Sequence, residues 1–421
     1  MKTFAIMNLG CKVNDYESTY VKEQLAKYYE LKDFKEVCDI YIIFSCCVTN
    51  TAEAKTRKFI HQTRRRNKDA YVVVVGCLSQ IKPDLEEFKD VDLIIGSTKK
   101  DKVDEYILDG LKENKVENLN EAKFEFLSLD KYPGKDRAFL KIEDGCNQFC
   151  SYCVIPYSRG RERSADHLKI LESALTLSKN YREIVLTGIH TGRYNDNGYN
   201  LYNLLCDLVK IDNLQTIRLS SIEINEISDE IIDLIATNPK IAKHLHVPVQ
   251  ALTNKVLKAM NRPYTIEEYK ERIKYIRSKV EHISISTDLI VGFVGEDDET
   301  FKQSFKELDE IQFSFIHIFP YSRKSGTKAD KMEGHIDERI KKERFKLIAD
   351  YQQQFTLNYH RSFINRNVEI LVEKTDDNYS YGYTKEYIYV QVEGKYQIGG
   401  IIKVNIKSVS NEKVVGIYVT E

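Results

Sequence analysis

Three cysteines, Cys146, Cys150 and Cys153, stand in one short loop of the 421-residue chain, with no fourth cysteine nearby. Closely spaced thiolates bind either zinc or an iron–sulfur cluster. Structural zinc takes four ligands, and the next histidine, His167, lies at no usual zinc spacing. A bacterial ferredoxin would continue C-x2-C-x2-C-x3-C-P. The spacing here favours a cluster that leaves one iron open for a cofactor.

Three further cysteines follow predicted strands in the first hundred residues. Cys11 comes after FAIMNLG, Cys46 after IYIIFS and Cys77 after YVVVVG. Because the carboxyl ends of parallel strands share one sheet edge, these thiols are expected to converge. Cys47 competes with Cys46, but Cys46 follows the small residue Ser45, as Cys11 and Cys77 follow glycines. We therefore predict a second site with three thiolates at Cys11, Cys46 and Cys77.

Alternating strand and helix patterns must position both sites, and they predict an α/β protein. Strands at 4–9, 40–45, 71–75 and 91–95, with helices such as 16–29 and 51–66, predict a parallel sheet. Six more strands predict most of a β/α barrel, open on one side; they lie at 137–142, 183–189, 216–222, 244–250, 283–292 and 313–321. After a charged helix around 336–360, short strands from about 367 predict a small β-barrel.

These patterns divide the chain into three predicted domains. The N-terminal α/β domain covers 1–125, the partial six-stranded β/α barrel 132–362 and the small β-barrel 363–421. The turn signal YPGKD at 132–136 marks the first boundary.

Composition limits the classes of protein that fit. The formal net charge is −1, so a nucleic-acid partner has to be argued from local features. Nine cysteines at strand ends and in one loop do not resemble a secreted disulfide framework. The first apolar run spans about six residues, short of a signal peptide, and no stretch approaches the roughly 20 apolar residues of a membrane span. We expect a soluble, cytoplasmic protein with no membrane partner.

A C-x3-C-x2-C loop at the mouth of a β/α barrel resembles the radical S-adenosylmethionine (SAM) superfamily, in which the open iron binds SAM and one electron cleaves it to a radical. Over essentially its whole length the chain resembles the methylthiotransferases of that superfamily. The resemblance is carried by LGCKVNDYES (9–18), SCCVTNTAEAK (45–55), VVGCLSQ (74–80), GCNQFCSYCVIPYSRGRERS (145–164), IVLTGIHTGRY (184–194), RLSSIE (218–223), HLHVPVQ (244–250), STDLIVGFVGE (286–296) and HIFPYSRKSGTKA (317–329).

The resemblance implies two [4Fe–4S] clusters and SAM as cofactors. The catalytic cluster would be held by Cys146, Cys150 and Cys153, and the auxiliary cluster, which presents sulfur, by Cys11, Cys46 and Cys77. It also implies that the C-terminal barrel is an RNA-binding TRAM domain. The reaction further needs a sulfur donor and a reductant of the flavodoxin or ferredoxin kind, which the sequence does not identify.

The first motif separates the branches of this family. GCKVN at 10–14, YES at 16–18 and RGRERS at 159–164 resemble the enzymes that methylthiolate C2 of N6-threonylcarbamoyladenosine (t6A) at position 37 of the tRNA anticodon loop. Enzymes that act on isopentenyl-adenosine tend to have GCQMN at this motif, and those that act on a ribosomal-protein aspartate tend to have GCPKN. These two substrates remain as alternatives. The chain departs from the pattern at Phe44, at 251–253 and at Val294, which affects the prediction of local cofactor and substrate contacts.

Six more residues are predicted to bind the cofactor. Tyr152 matches the aromatic residue usual before the third cysteine, and Thr187 and Gly188 end the strand at which superfamily members bind the SAM amino group, although a plain turn is the alternative. Polar residues end three further barrel strands, where each is either a cofactor contact or a helix cap; they are Glu223, Gln250 and Asp288. His244 and His246 lack a third metal ligand, so we interpret them as core histidines.

Two features favour RNA contact. Residues 55–68 carry seven basic and no acidic residues, which indicates either a solvated face or a phosphate-binding surface. Tyrosines alternate along the tail and either stack on bases or pack the small core; they are Tyr379, Tyr381, Tyr383, Tyr387 and Tyr389. A non-catalytic iron–sulfur RNA-binding or electron-transfer protein is the alternative class. Two open sites with three cysteines favour an enzyme, because electron transfer alone is served by closed clusters.

Overall fold

The computed structural model describes residues 1–132 and 136–420, so most of the predicted YPGKD turn lies outside the described residues. The N-terminal part is a parallel sheet of six strands in the order β2-β1-β3-β4-β5-β6. Its elements are β1 Thr3–Asn8, α1 Lys12–Leu25, β2 Glu30–Leu31, β3 Ile40–Ser45, α2 Asn50–Arg66, β4 Tyr71–Gly76, α3 Cys77–Ile81, β5 Leu93–Ile95, α4 Val103–Leu108 and β6 Asn114–Lys115.

The four predicted strands are confirmed, and the two that the pattern missed, β2 and β6, have two residues each, too few for a period to show. Helix α1 begins at Lys12 rather than at the predicted residue 16, because Cys11 takes extended backbone geometry and stands as its N-cap. Phe44, a departure from the family pattern, is fully buried in β3 and packs in the core of this sheet.

The middle part contains the six predicted barrel strands as two parallel three-stranded sheets, β7-β10-β13 and β14-β15-β16. Single bridges such as Ile217–Ile241 and Ser221–His246 join them, and no pairing within the described residues closes β16 on β7. The elements are β7 Ala138–Lys141, β8 Glu143–Asp144, α5 Ile155–Arg159, β9 Arg163–Ser164, α6 His167–Ser178, β10 Glu183–Thr187, β11 Asn195–Asp196, β12 Tyr199–Asn200, α7 Leu201–Leu208, β13 Thr216–Leu219, α8 Asp229–Thr237, β14 His244–His246, α9 Asn254–Ala259, α10 Ile266–Lys279, β15 Ser284–Val291, α11 Asp298–Ile311, β16 Phe315–Pro320 and α12 Glu338–Arg361.

The tail forms the predicted small β-barrel, closed in the order β17-β18-β19-β21-β20. Ile370, Val390 and Val404 are fully buried in its core. Its strands are β17 Asn367–Thr375, β18 Tyr379–Thr384, β19 Tyr389–Glu393, β20 Ile401–Val409 and β21 Val414–Tyr418.

Polar contacts tie the three parts together. Tyr16 of α1 donates a hydrogen bond to the carbonyl of Leu127 and packs in the barrel core. Arg218 of β13 donates to the carbonyls of Thr384 and Lys385 in the small barrel, both at 3.1 Å. Across the described parts of the chain, none of the helices has the length and apolar character needed to cross a bilayer.

Candidate functional site

The first group of cysteines lies at the carboxyl edge of the N-terminal sheet, after the neighbouring strands β1, β3 and β4. Gly10 has φ +116°, and a Cβ there would stand 3.2 Å from the Sγ of Cys46. Gly76 has φ +115°, and its Cβ would stand 3.0 Å from the carbonyl oxygen of Ser45. Both positions need glycine because they combine a left-handed backbone with a close approach. The loops that carry Cys11 and Cys46 are therefore packed against each other.

The thiols of this group differ in their acidity. Burial raises the pKa of Cys46 to about 11. A hydrogen bond from the Cys47 thiol, together with the nearby Arg159 guanidinium, lowers the pKa of Cys77 to about 5 in spite of burial. Cys77 is thus a thiolate at neutral pH, the form that binds metal. Cys46 and Cys47 both lie beside Cys77, so the assignment of Cys46 as the ligand stays a prediction.

The second group lies in the loop between β8 and α5, and each thiol accepts N–H donors. Arg262 donates through Nη1 to the Sγ of Cys150 at 3.3 Å. Backbone N–H groups lie 3.4 Å from the Sγ atoms of Cys146 and Cys153. Donors aimed at sulfur stabilise its anionic form. Burial nevertheless outweighs these donors, because it raises the pKa of Cys150 and raises that of Cys153 to about 12.

A protonated histidine flanks Cys146. The Nδ1 of His190 lies 3.5 Å from the Sγ of Cys146 and 2.9 Å from Glu162 Oε1, and its Nε2 lies 2.8 Å from Glu226 Oε1. Burial opposes protonation, yet these partners raise the pKa of His190 to about 12. Glu143, which accepts the backbone N–H of His190 at 2.5 Å, has a pKa raised by burial to about 8.

The spacing of the donors distinguishes a cluster from a single ion. Among the described residues, the only three metal-ligating donors that all lie within 4.8 Å of one another belong to Cys146, Glu162 and His190, and a protonated His190 is no ligand. Two thiolates on one zinc ion are at most about 4.6 Å apart, because each Zn–S bond is about 2.3 Å. Neither cysteine group is that compact. The wider spacing and the all-thiol donor sets fit iron–sulfur clusters.

The predicted cofactor residues surround the second cysteine group in part. Glu223 forms an ion pair with Arg262, the arginine that holds Cys150, and caps no helix with its side chain. Tyr152 packs its ring edge-on to Phe293, with centroids 6.2 Å apart. Gly188 touches Glu143, since a Cβ on Gly188 would lie 3.0 Å from Glu143 Oε2.

The other three predicted residues have different surroundings. Thr187 is buried, and its carbonyl accepts from the N–H of Ile142 at 2.9 Å. Gln250 has φ +65° and exchanges backbone hydrogen bonds with the chain around Asp288. Asp288 Oδ1 lies 3.3 Å from His246 Nε2. Residues 251–253 and Val294, where the chain departs from the family pattern, are buried. No contact in the structure assigns any of the six to SAM, so these roles stay predictions.

A polar and aromatic surface lines one face of β14, β15 and β16. His244 and His246 share the hydroxyl of Ser286, at 2.9 and 3.0 Å, whereas the buried Nδ1 of His244 has no hydrogen-bond partner among the described residues. On the same face the ring of His317 lies 5.5 Å from that of His246 and 4.8 Å from that of Phe315, which is 43% exposed.

Lys12, beside Cys11, extends toward this face. It is exposed to solvent, yet desolvation by nearby protein, followed by Arg218 and Arg137, lowers its pKa, while Asp288 raises it. The Lys12 ammonium makes no hydrogen bond or ion pair with any residue in the described part of the chain.

The sequence analysis did not single out four residues that surround the cysteine sites: Arg159, His190, Arg262 and Lys12. Arg159, His190 and Lys12 lie inside quoted motifs, but only contact partners distant in sequence reveal their roles. Arg262 lies outside every quoted motif, in NRPY at 261–264.

Some of the basic residues of α2 and some of the tyrosines of the tail contact other residues of the chain. On α2, Arg64 donates to the carbonyl of Ala70 at 2.6 Å and pairs with Asp92 at 2.7 Å, whereas a stripe of exposed basic residues remains, namely Lys55, Lys58, His61 and Arg65. In the tail, Tyr387 stacks on Tyr383 at 4.6 Å and on His244 of the β/α barrel at 4.7 Å. The tyrosine face is therefore partly a contact between the two barrels.

Comparison with known proteins identifies the family of the chain. Residues 140–308 match the Radical SAM superfamily, and residues 3–96 match the Uncharacterized protein family UPF0004. The chain is 37% identical to the threonylcarbamoyladenosine tRNA methylthiotransferase MtaB of Bacillus subtilis (strain 168), over 96% of this chain and 94% of that protein. It is 33% identical to the tRNA-2-methylthio-N(6)-dimethylallyladenosine synthase of Alkaliphilus oremlandii, over 96% and 90%.

The fold is also that of a solved radical enzyme. The radical S-adenosylmethionine methyltransferase TsrM from Kitasatospora setae superposes with a TM-score of 0.59 at 14% identity, covering 78% of this chain and 77% of that one. Identity above 30% along nearly the full length settles the family. The chain belongs to the radical S-adenosylmethionine methylthiotransferases.

Proposed function

We propose that this enzyme methylthiolates C2 of t6A at position 37 of tRNA. The observation that carries the proposal is the presence of two separate sets of three cysteines, one at the sheet edge and one at the barrel mouth. The two sets lie near each other, because Arg159, six residues after Cys153, lies 3.2 Å from the Sγ of Cys77. Radical formation and sulfur presentation have to occur close together if both are to reach one carbon.

As a member of this family the enzyme uses [4Fe–4S] clusters and SAM. We assign one cluster to Cys146, Cys150 and Cys153, and the other to the set at 11, 46 and 77. Bound to the first cluster, SAM would supply a hydrogen-abstracting radical, and the second cluster would supply sulfur. Arg262 orients Cys150 and neutralises Glu223, while His190 holds a proton between Glu162 and Glu226 beside Cys146.

The choice of t6A over an isopentenyl base is supported by Lys12. The threonyl arm of t6A ends in a carboxylate, whereas an isopentenyl arm has no charge. Lys12, next to Cys11, is exposed, and its ammonium has no hydrogen-bond or ion-pair partner among the described residues. An apolar arm would leave the ammonium unpaired and so would be rejected. We assign Lys12 to the threonyl carboxylate.

The adenine would stack on the exposed aromatic face of β16. Phe315 is 43% exposed and adjoins His317, and single-stranded bases are commonly held by stacking on such rings. The target base lies in the anticodon loop, from which it can be splayed into a pocket. Lys55, Lys58 and Arg65 would contact phosphates. A tRNA substrate also supports a cytoplasmic location.

Mass spectrometry of tRNA nucleosides tests the proposal, in cells with and without the gene. We expect the deletion to remove 2-methylthio-t6A from a lysine tRNA and to retain t6A, and the wild-type gene to restore the product. A gene with Cys77→Ala is the matched control, because it keeps the SAM-binding loop and should fail to restore the product. If the methylthio-isopentenyl nucleoside disappears instead, or a ribosomal protein loses a methylthio group, the proposed substrate is wrong.

A further inference from the structure

Arg159 connects the two cysteine sites and is entirely buried. It ends α5, the short helix that follows the loop of Cys146, Cys150 and Cys153. Its Nε donates to the Sγ of Cys77, on the N-terminal sheet, at 3.2 Å. One side chain of the barrel is thus bonded directly to a thiolate of the other site.

A second donor of Arg159 holds the loops around Cys11 and Cys46. Its Nη2 donates to Asn14 Oδ1 at 2.6 Å. The side-chain amide of Asn14 in turn donates to the carbonyl of Leu9, at 2.7 Å, and to that of Ser45, at 3.1 Å. Leu9 and Ser45 lie two residues and one residue before Cys11 and Cys46. Arg159 and Asn14 therefore link all three strand ends of the sheet-edge site.

Arg159 is itself oriented by buried charges. Its Nη1 lies 2.6 Å from Glu17 Oε1 and 3.4 Å from Asp144 Oδ2, and Lys141 Nζ lies 2.7 Å from each of those carboxylates. Lys100 pairs with Glu17 at 3.4 Å and Arg163 with Asp144 at 3.1 Å. Glu125 accepts from the N–H of Lys100 at 3.2 Å.

The charges of this network pair with one another. The network brings together four cationic side chains, Lys100, Lys141, Arg159 and Arg163, and three carboxylates, Glu17, Glu125 and Asp144. Buried charges are costly unless they are paired. Pairing of the guanidinium through Nη1 fixes Arg159 so that its Nε points at the Sγ of Cys77.

We propose that Arg159 is a positioning residue that sets the reduction potential of the auxiliary cluster and holds it in register with the SAM-binding loop. Hydrogen bonds to the sulfur ligands are among the factors that set the potential of such clusters. A donor and a positive charge stabilise the more negative, reduced form, so Arg159 raises the potential. The inference rests on the proposed function only in that Cys11, Cys46 and Cys77 hold a cluster.

The test uses the full-length chain with Cys146, Cys150 and Cys153 replaced by alanine, so that only the auxiliary cluster is observed. Arg159→Lys keeps the charge and loses the planar fork of donors. Arg163→Lys is the matched control, since Arg163 joins the same network through Asp144 and the backbone carbonyl of Arg159 and is not bonded to Cys77. Iron content and the midpoint potential, followed by electron paramagnetic resonance, are measured in each.

We expect Arg159→Lys to shift the reduction equilibrium about tenfold toward the oxidised cluster, which is about 59 mV for one electron, or to lose the auxiliary iron, whereas Arg163→Lys changes neither. Equal midpoint potentials and equal iron contents in the two variants would overturn the inference. An equal loss of iron in both variants, together with a lowered melting temperature, would also overturn it. If the chain without the barrel cysteines binds no iron even with Arg159 intact, the proposed function fails instead.

Discussion

Arg262 is hydrogen bonded to Cys150 and ion paired with Glu223, so that one guanidinium joins a thiol of the barrel-mouth loop to the carboxylate at the end of a barrel strand. The sheet-edge site has the same arrangement, with Arg159 between Cys77 and Glu17. Each cysteine site is thus held by an arginine that a buried or part-buried carboxylate orients. Such outer partners contribute strongly to metal sites, typically 10–100-fold in affinity or activity.

Replacing Arg262 should therefore weaken one site selectively. We expect Arg262→Met to reduce the rate of SAM cleavage by about 10–100-fold and to leave the auxiliary iron in place, because the thiol that Arg262 contacts belongs to Cys150 of the barrel-mouth loop. The measurement is 5′-deoxyadenosine formation together with iron content. Loss of iron from both sites would show that Arg262 supports the fold as a whole.

Iron stoichiometry tests the ligand assignment. Protein reconstituted without oxygen should hold about eight irons, and Cys146→Ala or Cys77→Ala should each hold about half. Cys46→Ala should also hold about half, and Cys47→Ala should hold the full content. If Cys47→Ala loses iron and Cys46→Ala does not, Cys47 is the ligand. A full iron content without SAM cleavage would favour the non-catalytic class of iron–sulfur protein.

Lys12 should decide between substrates. Lys12→Met is expected to lower kcat/KM for a t6A-containing anticodon stem-loop by about 10–100-fold, the equivalent of a hydrogen bond to a charged group. The same variant should change SAM cleavage without RNA very little, because Lys12 is not bonded to the barrel-mouth loop. Steady-state kinetics on stem-loops with t6A and with unmodified adenosine give the comparison. An equal loss on both RNAs would contradict the assignment.

The exposed stripe on α2 should contribute to tRNA affinity through phosphates. Lys55→Glu combined with Lys58→Glu should raise the Kd for tRNA and flatten its dependence on salt, since each lost phosphate contact reduces the slope. Lys306→Glu is the control, because Lys306 is 75% exposed on α11, away from the stripe. Filter binding at several salt concentrations measures the Kd and its salt dependence. Equal salt slopes for the double variant and for Lys306→Glu would show that α2 does not contact the tRNA.

Glu143 should make stability depend on pH. Burial raises its pKa from the usual 4.5 to about 8, so the folded state favours the protonated form. The stabilisation from that proton is complete below pH 4.5 and is lost as the pH rises to about 8, at up to about 1.4 kcal/mol per pH unit. The melting temperature of the metal-free protein should therefore fall over this window relative to that of Glu143→Gln. Parallel curves for the two proteins would contradict the shift.

The local patterns of the sequence determined the strands and the two cysteine groups. Apolar runs bounded by Gly and Cys residues predict β1, β3 and β4, and strand ends of one parallel sheet must meet at one edge. Six periodic strands likewise predict the open barrel. Strands of two residues, such as β2, carry too little periodicity to be found, and the boundaries at 125, 132 and 362 stay predictions.

Only the tertiary structure decided what surrounds the cysteines. Arg159 and Cys77 are 82 residues apart, and Arg262 and Cys150 are 112 apart, and no spacing rule connects such pairs. From the sequence alone, a charged side chain is expected at the surface. Arg159, Lys100 and Lys141 are instead buried together, because each has charged partners in the interior. The opposite holds for Lys12, whose role depends on the absence of a partner within the described chain. Sequence specifies which groups exist, whereas burial and pairing, which set their charge and acidity, follow from packing between elements distant in the chain.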